Sequence, residues 1–243
     1  MIGCGCPVCT SEDPRDKRTR PALLIEAPEG NILVDAGPDL RMQMLTARVK
    51  RIDACVITHD HADHIFGLDD LRPFNFRNKR RIPIYATRNT LERLRIVFDY
   101  CFKTTQEGGG KPQLDLMELE IFTPQTLCGL EVLPLWHWHG QVPVTSLVLG
   151  GKFAYVTDVS AIPDETRPHL QGIENLVLGT VRFEPHPTHF HLQGALDEAK
   201  ALGARQTYLT HLSHYFSHAL VSETLPAGVS FAHDGLRLEF SCP

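Results

Sequence analysis

The chain has 243 residues, 42% hydrophobic and 22% charged, the balance of a globular protein long enough for one substantial domain or two small ones. A net charge of −5 gives a polyanion no global attraction to it, and no apolar run approaches the roughly 20 residues that span a bilayer. Met1-Ile2-Gly3-Cys4 lacks the charged and apolar regions of a signal peptide, so a cytoplasmic protein is expected. Thirteen histidines against five tyrosines and two tryptophans point to metal chemistry.

From the N-terminus, Cys4-Gly5-Cys6-Pro7-Val8-Cys9 crowds three of the seven cysteines together. In a reducing compartment that spacing favours a metal site over disulfides. Cys55, Cys101, Cys128 and Cys242 are scattered and read as small hydrophobes. Strands are predicted at 22–27 and 31–35 around a Gly30 turn, then a short helix over 38–47. The apolar, β-branched run 52–57 predicts a buried strand leading into Thr58-His59-Asp60-His61-Ala62-Asp63-His64.

No packed core accommodates that heptapeptide, because ionisable groups are costly to bury unless paired or metal-bound. Residues 65–68 look like a helix opening, so the cluster sits at a strand-to-helix junction. His59 and His61, two apart in extended chain, point to one side and can grip one metal. Asp63 and His64, past the bend, can turn toward a second, while Asp60 alternates away. Imidazole and carboxylate donors suit zinc, manganese, nickel or iron.

Arg72, Arg77, Lys79, Arg80 and Arg81 follow, either as a solvated basic surface or as an attraction for an anionic substrate. A strand at 82–86 and an amphipathic helix at 89–101 precede a flexible stretch at 103–112. Strands are then expected at 118–123, 130–136, 145–149 and 152–157, the last two flanking a Gly150-Gly151 hairpin turn. A helix near 163–170 leads to a strand at 174–181. Helix 192–202 should end at Gly203, a C-cap. A strand at 206–210, a helix at 214–224 and strands at 229–233 and 236–240 finish the chain. Both halves run from strand-rich to helix-bearing, the pattern of an α/β protein with two packed sheets and helices outside.

The heptapeptide alone cannot complete two metals that keep positions open for chemistry. Three later strand ends offer partners: Trp136-His137-Trp138-His139-Gly140, Tyr155-Val156-Thr157-Asp158, and Tyr208-Leu209-Thr210-His211. Alternation puts His137 and His139 on one side of their strand, so spacing leaves both in play.

Strand-then-ligand repeated four times, with H-x-H-x-D-H, resembles the metallo-β-lactamase superfamily over nearly the whole chain. The resemblance implies an αββα sandwich, a single domain over 1–243, and two divalent metal ions at one edge of its paired sheets. It assigns His59, His61 and His139 to the first ion. Asp63, His64 and His211 go to the second, and Asp158 bridges both. His139 is preferred to His137 because the superfamily's third motif here resembles His-Gly.

Cys4-x-Cys6-x-x-Cys9 with His214 resembles the phosphoribosyl cyclic phosphate phosphodiesterases of phosphonate breakdown. There a Cys₃His zinc, closed and structural, ties the N-terminal loop to the last active-site strand. In Glu184-Pro185-His186-Pro187-Thr188-His189-Phe190-His191, His189 matches the family's proton donor to the leaving oxygen, with His186 and His191 as loop or supporting residues. His189 and the metal ligand Asp63 are thus the expected catalytic residues. Relatives carry a strand before the cysteines, and here the cluster begins within three residues of Met1, so either a shortened start or a missing first strand is expected.

The resemblance implies a dinuclear phosphodiesterase for a small, cyclic or simple diester, with two active-site metals and one structural zinc. Neither a membrane nor polymeric nucleic acid is an expected partner, and a homodimer is compatible with the sequence. A nuclease of the tRNA 3′-processing type is the main alternative, ahead of other ester hydrolases and a non-catalytic metal-binding protein.

Overall fold

The computed structural model describes residues 1–104 and 110–241. It divides into two compact units, Arg20–Pro134 and Met1–Thr19 with Leu135–Pro243. Part of the stretch expected to be flexible, 105–109, lies outside the described residues, as does Cys242.

The Arg20–Pro134 unit holds a five-stranded mixed sheet. Its strands, in spatial and chain order, are β1 (Leu23–Ala27), β2 (Gly30–Val34), β3 (Ala54–Val56), β4 (Ile82–Ala86) and β5 (Leu114–Glu118). β1 and β2 are antiparallel around the expected turn, and the rest pair in parallel. Parallel neighbours need crossovers, which helices supply. These are α1 (Leu40–Thr46), α2 (Ala62–Ile65), α3 (Arg72–Asn78), α4 (Arg88–Val97) and α5 (Asp99–Phe102). Leu33, Leu40, Ile57, Leu68, Ile84 and Leu94 belong to its core, each at most 1% exposed. The hairpin of β6 (Gln125–Leu127) and the start of β7 (Leu130–His139) turns on Cys128 and Gly129, both at positive φ.

The other unit carries the end of β7 and then β8 (Val142–Leu149), β9 (Phe153–Val156), β10 (Asn175–Gly179), β11 (Gln206–Thr210) and β12 (Val229–Phe231). Their spatial order is β12-β11-β10-β9-β8-β7. Gly150 and Gly151, at φ 53° and 66°, close the expected β8–β9 hairpin. The strands from β9 to β12 are parallel. Helices α6 (Arg167–Leu170), α7 (Leu192–Leu202) and α8 (His218–Ser222) lie in the connections. Gly203 ends α7 in the left-handed region, its N–H on the Ala199 and Lys200 carbonyls.

Several boundaries differ from expectation. The strand expected at 118–123 forms at 114–118, because the alternation of Leu114 and Leu116 matches the β4 register through Ile82↔Leu114. The helix expected over 214–224 forms only at 218–222, where Ser217 Oγ accepts from Leu220 N–H. Residues 236–240 alternate but pair with no strand among the described residues; Phe240 instead stacks on Phe153 at 5.1 Å. Among the described residues no helix is long and apolar enough to cross a membrane.

Candidate metal centre

In the Arg20–Pro134 unit the heptapeptide occupies the junction expected of it. His59 follows buried β3, His61 is the extended N-cap of α2, and Asp63 and His64 lie in that helix's first turn. His59 and His64 are buried, their ring centroids 4.3 Å apart, and His61 lies 4.5 Å from His59. Asp63 Oδ2 is 3.8 Å from His64 Nε2.

The fully buried carboxylate of Asp35, at the end of β2, organises the rings. Its Oδ1 accepts from Thr58 N–H at 2.9 Å, and its Oδ2 from His64 Nδ1–H at 2.7 Å. Thr58 Oγ1 donates to the same carboxylate and so accepts from His59 Nδ1–H at 3.0 Å. Both imidazoles therefore carry their proton on Nδ1 and present Nε2, the arrangement that orients metal-binding histidines. Gly37 leaves room for this packing, since a Cβ there would meet the Asp63 carbonyl oxygen at 2.2 Å.

Sequence reasoning missed Asp35, although an acid ending an apolar strand was the signal used elsewhere. It also missed Arg20, whose exposed guanidinium lies 3.8 Å from Asp63 Oδ2 and has no motif to mark it. Asp60 points away, accepting from Arg93 Nε at 3.1 Å. Most of the basic run is engaged: Arg80 pairs with Asp53, Arg81 with Asp115, and Arg72 donates to the Gly110 carbonyl.

The other unit brings the later strand ends together. His139 ends β7 and donates Nδ1–H to the Thr188 carbonyl at 2.6 Å, again leaving Nε2 to face outward from that bond. Asp158, just past β9, accepts from Thr157 Oγ1 at 2.9 Å. His211, just past β11, places Nε2 3.1 Å from Asp158 Oδ1. Asp158 and His211 both have positive φ, as does Asp35, which turns the chain sharply where each strand stops. His189 stacks on His211 at 5.0 Å and tilts against His139 at 4.4 Å. One ligand atom from each of Asp158, His189 and His211 lies within 4.8 Å of the others. Burial, with His211 next, pushes the His189 pKa down to about 3.

His137 takes another part. Fully buried, it donates Nε2–H to the Thr157 carbonyl at 2.7 Å, and burial pushes its pKa down to about 4. It is a neutral brace between β7 and the segment after β9. His191 is the extended N-cap of α7 and His186 lies in the loop before it.

A second cluster in the same unit joins Cys4, Cys6, Cys9 and His214, with all four donor atoms within 4.8 Å. His214 Nδ1 is 3.5 Å from Cys4 Sγ and 3.4 Å from Cys6 Sγ. The Cys9 N–H and the His214 ring pull the Cys6 thiol down to about 6, toward the thiolate that binds metal. Three thiols and one imidazole fit tetrahedral zinc. The arm is also pinned by Arg18, which pairs with Asp16 and donates to the Ser213 and Phe216 carbonyls. Cys55 and Cys101 are buried, as small hydrophobes would be.

Known proteins bear on this geometry. The β-lactamase superfamily domain matches residues 30–212. A crystal structure of a diphosphatase from the PhnP family is 39% identical, covers 99% of this chain and 92% of its own, and superposes with a TM-score of 0.91. The chain belongs to the PhnP branch of the β-lactamase superfamily. This PhnP-branch protein has the α/β class and two mixed sheets of the metallo-β-lactamase type. An octanoyltransferase of Porphyromonas gingivalis is 37% identical over 239 residues, 97% of this chain and 48% of that protein. The chain thus spans about half the length of this curated relative. A ribonuclease Z of Bradyrhizobium diazoefficiens is 40% identical over 60 residues, 24% of this chain and 20% of that protein.

Proposed function

We propose that the chain hydrolyses a small phosphodiester, a diphosphate linkage first among them, with two divalent cations held by its His/Asp donors. The observation that carries this reading is the 39% identity to a PhnP-family diphosphatase along nearly the whole chain. The donor chemistry supports it, since His59, His64 and His139 all have Nδ1 tied and Nε2 presented.

His59, His61 and His139 would hold one cation, Asp63, His64 and His211 the other, and Asp158 both. Zinc, manganese, nickel and iron all suit these donors. Two such cations supply charge neutralisation at the phosphoryl oxygens and acidify an attacking water. The chain's own residues do the rest. Asp35 and Thr58 keep His59 and His64 in register. His189, packed between His139 and His211, would donate to the departing oxygen once the bound diester's negative charge offsets the burial that holds its pKa down. Cys4, Cys6, Cys9 and His214 would hold a structural zinc that fastens the N-terminal arm.

The substrate on this reading is a small diester in the cytoplasm, free or bound by a homodimer, rather than a nucleic-acid polymer. A tRNA-processing role has weaker support. The ribonuclease Z matches cover 24% to 41% of the chain, and the net charge of −5 opposes a polyanion. The test is a panel of cyclic, simple and diphosphate diesters and pre-tRNA, assayed with manganese, nickel and zinc. Turnover of pre-tRNA alone would overturn the proposal. His189→Ala is expected to slow diesters with poor leaving groups by about 10²–10⁴-fold and activated aryl diesters far less. Equal losses on both would remove His189 as the donor.

A further inference from the structure

The geometry points to His186 as a positioning residue that sets the orientation of the His139 ring without touching it. The inference rests on the reading of His139 as a metal ligand. Thr188 is the intermediary and is held on four sides. Its N–H and its Oγ1–H both meet His186 Nδ1 at 3.2 Å. Its methyl seats on Gly140, where a Cβ would lie 2.8 Å from Thr188 Cγ2. Its carbonyl accepts His139 Nδ1–H at 2.6 Å. His186 therefore fixes the torsions on one side of the Thr188 Cα, and His139 reads them on the other.

The loop is built to keep His186 in place. Prolines 185 and 187 flank it and restrict its neighbours' torsions. Arg182 staples the loop from outside, with Nε on the Glu184 carbonyl at 3.1 Å and a terminal nitrogen on the Pro185 carbonyl at 2.6 Å. Accepting a backbone N–H commits His186 Nδ1 as a lone pair and puts the ring proton on Nε2. The acceptor at Nδ1, not the charge, is what the loop uses.

That distinction selects the variants. His186→Asn keeps an acceptor at the Nδ1 position, and His186→Ala removes it. The full chain is titrated with zinc against a competing chelator. His186→Ala is expected to bind the zinc held by His139 about tenfold more weakly, the low end for residues that orient ligands. His186→Asn should recover the parent affinity to within about threefold, and the Cys₃His zinc should be unchanged in both. A metal-independent readout accompanies it, the solvent exchange of the downfield His139 Nδ1 proton by NMR. This exchange should quicken at least tenfold in the alanine variant and stay slow in the asparagine variant. An alanine variant with parental zinc affinity and parental exchange overturns the inference, as does an asparagine variant no better than alanine. If the parent takes up no zinc at its His/Asp residues, the ligand reading falls, and the exchange rates still decide whether His186 positions His139.

Discussion

Replacing His139 by alanine is expected to lower kcat/KM for diesters by about 10³-fold or more and to remove one equivalent of active-site metal. A cation supplies several kcal/mol of charge stabilisation, and each 1.36 kcal/mol is a factor of ten in rate. His137→Ala should behave in the opposite way. Losing a fully buried ring and its bond to the Thr157 carbonyl should cost about 2–4 kcal/mol of stability, with metal content intact. Elemental analysis, thermal melts and turnover on the same two proteins separate these roles. Metal loss in His137→Ala with metal retained in His139→Ala would exchange the two assignments.

Cys6→Ser is expected to lose one zinc and to free the arm before the first strand, while active-site metal stays bound. A structural zinc contributes folding energy directly, so its loss should open the segment it fastens rather than the whole protein. Trypsin reads this out, because Arg15, Lys17 and Arg18 lie in the arm and Arg18 is now held by Asp16 and two carbonyls. Faster cleavage at these bonds, with one zinc equivalent gone, is the expected result. Unchanged zinc content and unchanged cleavage would mean that the thiols hold no metal.

Much of this was legible because the chemistry sits at the ends of strands. An apolar run followed by His or Asp is a local signal, and it marked His59, the pair His137 and His139, Asp158 and His211 without reference to any partner; the family resemblance alone preferred His139. Local signals also located the β8–β9 hairpin through Gly150-Gly151 and the end of α7 through Gly203. What stayed hidden depends on residues far apart in sequence. Asp35 reaches across 29 positions to His64, and Thr188 reaches across 49 to His139. Nothing in the residues beside Asp35 or Thr188 announces the partner. The stretch 114–121 alternates well enough in two phases to make either a strand, and only the neighbouring strand's register decides between them. The alternation of 236–240 records packing such as Phe240 on Phe153, and periodicity cannot tell packing from a ladder.

Three of the seven described non-glycine residues with positive φ are Asp35, Asp158 and His211, at 63°, 50° and 61°. Such a conformation costs an L-residue about 1–2 kcal/mol that glycine would not incur. Folding cost and chemical usefulness therefore fall on the same three positions, and at 158 and 211 they pull in opposite directions. At 158 and 211 selection on abundance alone would favour glycine, whereas selection on turnover would keep the donors; at 35 the buried bonds to Thr58 and His64 oppose glycine on both counts. A mutational library scored once for cellular abundance and once for hydrolysis should diverge most at 158 and 211. The strain at those two positions is then a stability margin that the chemistry of the site, rather than the topology, keeps in place.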